Sequence, residues 1–280
     1  MRIDAHHHLW RYTTEEFGWI DDSMATLRRD FLLADLEREM QTANIDATIA
    51  VQARQTHEET SFLLDCANQT SAIQGVVGWA PIADLTFPAT LESLQQTPLL
   101  KGLRHVVQAE PEGFLDTPAF NRGIAALRPT NLVYDILIFA RQLPEAIRFV
   151  DRHPHQQFVL DHIAKPDIAG DGFATWNTPF RELAQRENVS CKLSGMVTEA
   201  NWQTWTPTTL QPYIDTALEA FTPARLMAGS DWPVHTVAST YQRWWQTLDT
   251  FLAPLTPPDR AAIEAQTAAR IYHLPTKEPA

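Results

Sequence analysis

Short apolar runs alternate with longer amphipathic stretches along the whole chain. The amphipathic stretches place apolar side chains on one helix face, as Leu36 and Met40 illustrate. The apolar runs predict strands at 2–8, 46–53, 73–82, 100–108, 131–139, 157–164, 188–194 and 225–231. The amphipathic stretches predict helices at 34–43, 58–69, 118–127, 143–152, 179–186, 208–220, 241–252 and 258–272. This alternation indicates right-handed βαβ units and a parallel sheet.

Eight such units suggest an α/β fold, a closed (β/α)8 TIM barrel, with 1–280 as a single domain. An open, doubly wound sheet is the alternative. The first predicted strand is not followed by a Gly-x-Gly-x-x-Gly turn, which weakens a dinucleotide-binding version of that sheet.

Two connections, 10–30 and 165–177, are unusually long and rich in aromatic residues. Loops longer than about 12 residues are usually functional or disordered. In a barrel both would follow strand C-termini and lie on the active-site face. Their aromatic residues either pack a lid onto the barrel or line a pocket.

Composition narrows the classes of partner. The 22 basic and 34 acidic residues give a net charge of −12, which argues against a nucleic-acid or anionic-membrane surface. No stretch approaches the roughly 20 apolar residues of a membrane span. Two cysteines cannot form a disulfide framework, so a cytoplasmic location is expected. A homo-oligomer remains open.

The first predicted strand carries two histidines that share one face. His6 and His8 are two residues apart, so both can reach one ion or one substrate group, whereas His7 points the other way. Asp231 ends the last strand, which a closed barrel brings beside the first. It is a candidate base or metal ligand. The alternatives are a surface histidine run and a turn or helix-capping aspartate.

Further candidates lie at the ends of other strands. His162 follows the sixth apolar run and is the third candidate ligand, and Arg104 or His105 on the fourth strand faces the interior. The alternative for these residues is hydrogen bonding or ion pairing within the barrel rim. Weaker site candidates are Gln52, Arg54 and His235, and Lys192 is expected to pair with Asp135.

Several motifs recur in this order in one group of proteins. They are Asp4-Ala5-His6-His7-His8-Leu9-Trp10, Gly18-Trp19-Ile20, Leu27-Arg28-Arg29-Asp30-Phe31, Gly102-Leu103-Arg104-His105, Leu160-Asp161-His162-Ile163-Ala164-Lys165-Pro166 and Gly229-Ser230-Asp231-Trp232-Pro233. Over about residues 2–273 the chain resembles the amidohydrolase superfamily, in the branch that contains L-fuconolactonase and L-rhamnonolactonase.

The resemblance implies a TIM barrel that hydrolyses a sugar-derived lactone. It implies His6, His8, His162 and Asp231 as catalytic residues and metal ligands. Asp231 would activate water, and a metal or the imidazoles would polarise the carbonyl. The substrate contacts expected are Arg104, His105, Gln52, Trp10, Trp19, Trp232 and His235.

Two departures from the wider superfamily bear on the cofactor. Arg104-His105 stands where binuclear members place a bridging lysine, so two metals are not expected. The fifth strand carries no histidine, which leaves either one divalent ion, expected to be zinc, or no metal. The alternative functions are a decarboxylase of the same superfamily, acting on an unsaturated or aromatic acid, and a non-catalytic metal- or sugar-binding barrel.

Overall fold

The computed structural model describes residues 1–275, so the last five positions of the domain expected at 1–280 lie outside the described residues. Eight parallel strands pair in sequence order. They are β1 Ile3–His7, β2 Ala47–Val51, β3 Ile73–Gly78, β4 Leu100–His105, β5 Val133–Ile136, β6 Phe158–Leu160, β7 Val189–Leu193 and β8 Leu226–Ala228.

Helices connect successive strands and pack around the outside of the sheet. They are α1 Leu33–Ala43, α2 His57–Asn68, α3 Phe87–Leu94, α4 Pro118–Leu127, α5 Leu143–Arg152, α6 Phe173–Ala184, α7 Pro207–Phe221, α8 Tyr241–Leu252, α9 Pro257–Ala261 and α10 Thr267–Ile271. Among residues 1–275, none of the helices has both the length and the apolar character needed to cross a bilayer.

The first and last strands meet through main-chain bonds and one buried carboxylate. The Asp231 amide donates to the His6 carbonyl at 2.8 Å, and the His8 amide donates to the Trp232 carbonyl at 2.6 Å. Asp4 accepts from the Ser230 amide at 2.8 Å and from the Tyr241 hydroxyl of α8 at 2.9 Å. These contacts close the barrel and bring the two ends of the motif set together, which confirms the predicted TIM-barrel architecture.

The barrel interior is apolar near its N-terminal end and polar near its C-terminal end. Ile3, Ala5 and Val159 belong to one buried cluster together with Tyr272, which follows α10. The Tyr272 hydroxyl donates to the buried carboxylate of Asp135 at 2.8 Å, so Tyr272 connects this apolar cluster to the polar end of the barrel interior. The C-terminal segment therefore fills the end of the barrel opposite the site.

Several elements differ from the sequence prediction. The helix α3 was not predicted, although Pro88 in its first turn and the buried pair Phe87 and Leu91 are a short helical signal. The sixth strand ends at Leu160 and not at 164, because the chain turns into a left-handed conformation from His162 onward. The loop predicted at 165–177 ends early, since α6 begins at Phe173.

Candidate active site

Four side-chain donors converge at the C-terminal mouth of the barrel. Nε2 of His8 lies 3.3 Å from Asp231 Oδ1, and Nε2 of His6 and of His162 lie 3.7 and 3.8 Å from the same oxygen. Nε2 of His6 and Nε2 of His8 are 3.3 Å apart. All four side chains are almost completely buried. The predicted set is therefore a cluster around one point.

Each of the three imidazoles is oriented by a partner on its other nitrogen. The Nδ1 partners are the Val51 carbonyl for His8 at 2.7 Å, Ser194 Oγ for His162 at 2.9 Å and Asp161 Oδ1 for His6 at 3.3 Å. A carbonyl can only accept, so His8 carries its proton on Nδ1 and presents a lone pair at Nε2. Partners of this kind fix the tautomer and ring orientation of histidines that bind metals.

The buried surroundings set the charges of the cluster. Burial lowers the pKa of His6 well below its usual value and that of His162 to about 4. Both rings are therefore neutral near pH 7, which is the form that binds a cation. Burial alone would raise the pKa of Asp231, but the contacts with His162 and His8 outweigh burial and hold it below its usual value. One carboxylate thus faces neutral imidazoles.

These donors fit a single divalent cation. A tetrahedral ion with bonds of about 2.0–2.1 Å spaces its ligands about 3.3–3.4 Å apart. The measured separations of 3.3 to 3.8 Å are close to that spacing. The lone pair of His8 Nε2 also points at His6 Nε2, so both nitrogens face the position that a cation would occupy. The cluster is therefore able to hold a metal ion.

A layer of buried charges lies beneath His6. Asp161 Oδ2 accepts from Arg104 Nη1 at 2.9 Å, and Asp161 Oδ1 lies 3.0 Å from Lys192 Nζ. Lys192 also donates to Asp135 at 2.5 Å, so the predicted pair is present. Lys192, Asp161 and Asp135 have no exposed side-chain surface. The layer satisfies these charges and supports the ring of His6 from below.

The backbone that presents His162 is strained. His162, Ile163, Ala164 and Lys165 have consecutive φ values of 51°, 48°, 63° and 46°. Residues other than glycine rarely adopt this conformation, and such strain is found at functional sites. Gly195, with φ 63°, packs against the same ring, and a Cβ at this position would lie 2.5 Å from His162 Nδ1. The turn and the glycine together hold the ring against Asp231.

The cluster opens into a cavity of about 480 Å³. Of the predicted residues, His8, His162, Asp231, Arg104, Arg54 and Trp19 line this cavity. Trp19 is 44% exposed and comes from the 10–30 loop, which is therefore part of the cavity wall. The polar cavity-lining residues that received no role from the sequence are Glu16, Gln55, Thr56, Gln108 and Lys165. The sequence indicated a role for Glu16 only through its place in the long 10–30 loop.

Five predicted substrate contacts lie outside this cavity, and their expected positions need correction. His105 pairs with Glu110 at 2.7 Å and faces a second cavity, because neighbouring strand residues alternate in direction. His235 is buried behind Asp231.

The other three residues support the lining from behind. The side-chain amide of Gln52 donates to the main-chain carbonyl of Arg104 at 3.1 Å. The main-chain carbonyl of Gln52 accepts from the Arg104 guanidinium. Trp10 and Trp232 both pack edge-on against Phe31, with ring centroids 5.3 and 5.4 Å away. The two indoles fix the base of the long loop instead of presenting a face to the cavity.

Comparison with known proteins agrees with this architecture. The chain is 40% identical to an L-fucono-1,5-lactonase of Burkholderia multivorans, with 100% of this chain and 98% of that protein covered. It is 35% identical to an L-fucono-1,5-lactonase of Burkholderia ambifaria, covering 98% and 96%. A crystal structure of an amidohydrolase from Burkholderia multivorans with bound Zn superposes with a TM-score of 0.95 at 39% identity, covering 98% and 100%. The amidohydrolase family pattern matches residues 3–274, and the chain belongs to the amidohydrolase family.

Proposed function

We propose that this protein hydrolyses a sugar-derived lactone, such as an L-fuconolactone, to the hydroxy acid. The observation that carries the proposal is the cluster of three neutral imidazoles and one carboxylate opening into a cavity of about 480 Å³. Relatives at 35 and 40% identity are L-fucono-1,5-lactonases, which supports a lactone as the substrate class.

Asp231 is the proposed general base. Its pKa lies below the usual value, so it is ionised at neutral pH, and it lines the cavity. It accepts a proton from the water that attacks the lactone carbonyl and returns that proton to the ring oxygen as the ring opens. The reaction consumes one water and produces one hydroxy acid.

The tetrahedral oxyanion needs positive charge near the cluster. His6, His8 and Asp231 would hold one zinc ion, with His162, 3.8 Å from Asp231 Oδ1, as the fourth proposed ligand. When bound, the ion would supply a Lewis acid to the carbonyl oxygen. Arg104 lines the same cavity, and its Nη1 lies 3.4 Å from His6 Nε2, so its guanidinium is placed to bind an oxygen of the substrate. The exposed face of Trp19 at the mouth suits an apolar face of the sugar-derived ring.

The test of the base is Asp231→Asn, with lactone hydrolysis followed by acid release. General-base catalysis contributes roughly 10²–10⁴-fold, so kcat should fall by at least about 100-fold. Asp65→Asn, on the exposed side of α2, is the matched control and should retain activity. Near-normal turnover by a folded Asp231→Asn protein would remove Asp231 from the mechanism, and carbon dioxide release from an acid would indicate a decarboxylase instead.

The test of the metal compares protein before and after treatment with a chelator. We expect about one zinc per chain by elemental analysis, loss of turnover on chelation and recovery with added zinc. Full turnover by protein that contains no metal would leave the imidazoles as the sole electrophiles.

A cytoplasmic location is supported by Cys66 and Cys191 being free, buried thiols.

A further inference from the structure

Three cationic side chains line the cavity, and each faces a carboxylate. Arg104 Nη1 lies 2.9 Å from Asp161 Oδ2, and Lys165 Nζ lies 3.8 Å from Glu199 Oε1. Arg54 contacts two carboxylates, those of Glu59 and Glu16. Each cationic side chain that lines the cavity therefore already faces a carboxylate, most loosely in the case of Lys165.

Arg54 sits between a buried carboxylate and an exposed one. Its Nε donates to Glu59 Oε2 at 2.9 Å, and Glu59 is fully buried and also accepts from the Ala53 amide at 2.8 Å. Its Nη1 forms an ion pair with Glu16. Glu59 lies in the first turn of α2, whereas Glu16 belongs to the 10–30 loop and its side chain is 47% exposed.

Glu16 occupies the end of Arg54 that a substrate carboxylate would bind. Arginine binds carboxylates through its planar fork, and the Nη1 side of this fork is already taken by Glu16 at the cavity wall. A ligand that brings its own carboxylate towards Arg54 meets the charge of Glu16, which is already paired with that arginine.

We infer that the site selects neutral lactones and rejects lactones that carry a carboxylate, with Glu16 as the specificity-determining residue. The inference rests on the proposed lactone hydrolysis. Discrimination of this kind needs a repulsive element against the wrong ligand, and Glu16 supplies it. Removing its charge frees Arg54 to pair with the substrate.

The experiment compares two lactones of the same configuration, L-galactonolactone and the corresponding galactarolactone, which differ in a hydroxymethyl or a carboxylate group. The readout is the ratio of their kcat/KM values, neutral over anionic. Like charges placed opposite each other suppress binding of the wrong ligand, so the wild-type ratio should be at least about 100. Glu16→Gln should lower the ratio at least about tenfold, and added KCl should reduce this gain because salt screens the new pairing.

Two variants serve as controls. Glu15→Gln makes the same change of charge at the neighbouring exposed residue, which does not line the cavity, and should keep the wild-type ratio. Glu16→Asp keeps the carboxylate and should keep most of the discrimination. Thermal unfolding of each variant establishes that it is folded.

A wild-type ratio near one, or a Glu16→Gln ratio equal to that of the wild type, would overturn the inference, and so would an equal loss on both lactones. If no lactone is hydrolysed, the proposed function fails, and calorimetric titration with L-galactose and L-galacturonate still decides the inference. The wild type should then favour the neutral sugar, and Glu16→Gln should narrow or reverse that preference. The same preference in both proteins would refute the role of Glu16.

Discussion

Replacing Lys192 with methionine tests the charged layer beneath the site. The ammonium lies 2.5 Å from Asp135 and 3.0 Å from Asp161, and all three side chains are fully buried. Methionine preserves most of the volume of the lysine stem but removes the charge. Two carboxylates would then lose a cation inside the barrel, where water cannot replace it.

The expected loss in free energy of unfolding is about 3–5 kcal/mol, the usual cost of breaking a buried ion pair from one side. Some compensation remains, because Asp161 keeps Arg104 at 2.9 Å and Asp135 keeps the Tyr272 hydroxyl at 2.8 Å. We therefore expect a folded protein that is less stable.

The loss should depend on pH. Burial raises the pKa of Asp135 to about 6, against the lowering effect of Lys192, so removing the lysine raises that pKa further. Below about pH 5 Asp135 is protonated in both proteins, and its part of the difference disappears. Each unit by which the substitution raises the pKa of Asp135 lowers the free energy of unfolding by about 1.4 kcal/mol once the pH is above that pKa. The loss in free energy of unfolding should therefore be about 1–3 kcal/mol larger at pH 8 than at pH 5.

Urea unfolding at pH 5 and pH 8 measures both quantities. The double variant Lys192→Met with Asp135→Asn also removes the unpaired charge at position 135, and should recover about half of the loss at pH 8. A loss under about 1 kcal/mol for Lys192→Met would refute the ion-pair reasoning. So would a loss that is the same at both pH values and is not recovered by the second change.

Two further predictions concern the ring of His162. Ser194→Ala removes the hydroxyl 2.9 Å from His162 Nδ1 and should lower metal affinity or kcat about 10–100-fold with little change in stability. Ser194→Thr, which keeps the hydroxyl, is the comparison, and unchanged metal binding and kinetics would contradict this role. Gly195→Ala places a Cβ 2.5 Å from His162 Nδ1 and 3.1 Å from Asp231 Oδ2 in a left-handed backbone. It should abolish most activity and cost about 1–3 kcal/mol in unfolding free energy, and retention of both would disprove the packing argument.

The alternation of apolar and amphipathic segments predicted eight βα units, because the periodicities of strands and helices are local properties of the chain. It suggested the closed barrel but left an open, doubly wound sheet as the alternative. The four clustered donors were also predictable. His6 and His8 share a strand face, and barrel closure brings Asp231 beside them. His162 was a candidate because it follows the sixth apolar run, and the family resemblance implied the same residue.

The orientation of side chains beyond the strand ends depended on long-range contacts. Gln52 and Trp232 have the chemistry of substrate contacts, but both are turned to support other residues, since packing against Arg104 and Phe31 buries them. No local pattern encodes the left-handed turn at His162, because its strain is stabilised only by the surrounding fold.

The sequence by itself determined which residues could carry the chemistry and which strands they end. Tertiary structure decided which cations of the cavity are already paired. Arg54 and Glu16 stand 38 positions apart, on different loops, and no local sequence pattern around either residue predicts their contact. Their contact depends on how the 10–30 loop folds over the barrel mouth, and that fold is set by packing between segments that are distant in the chain.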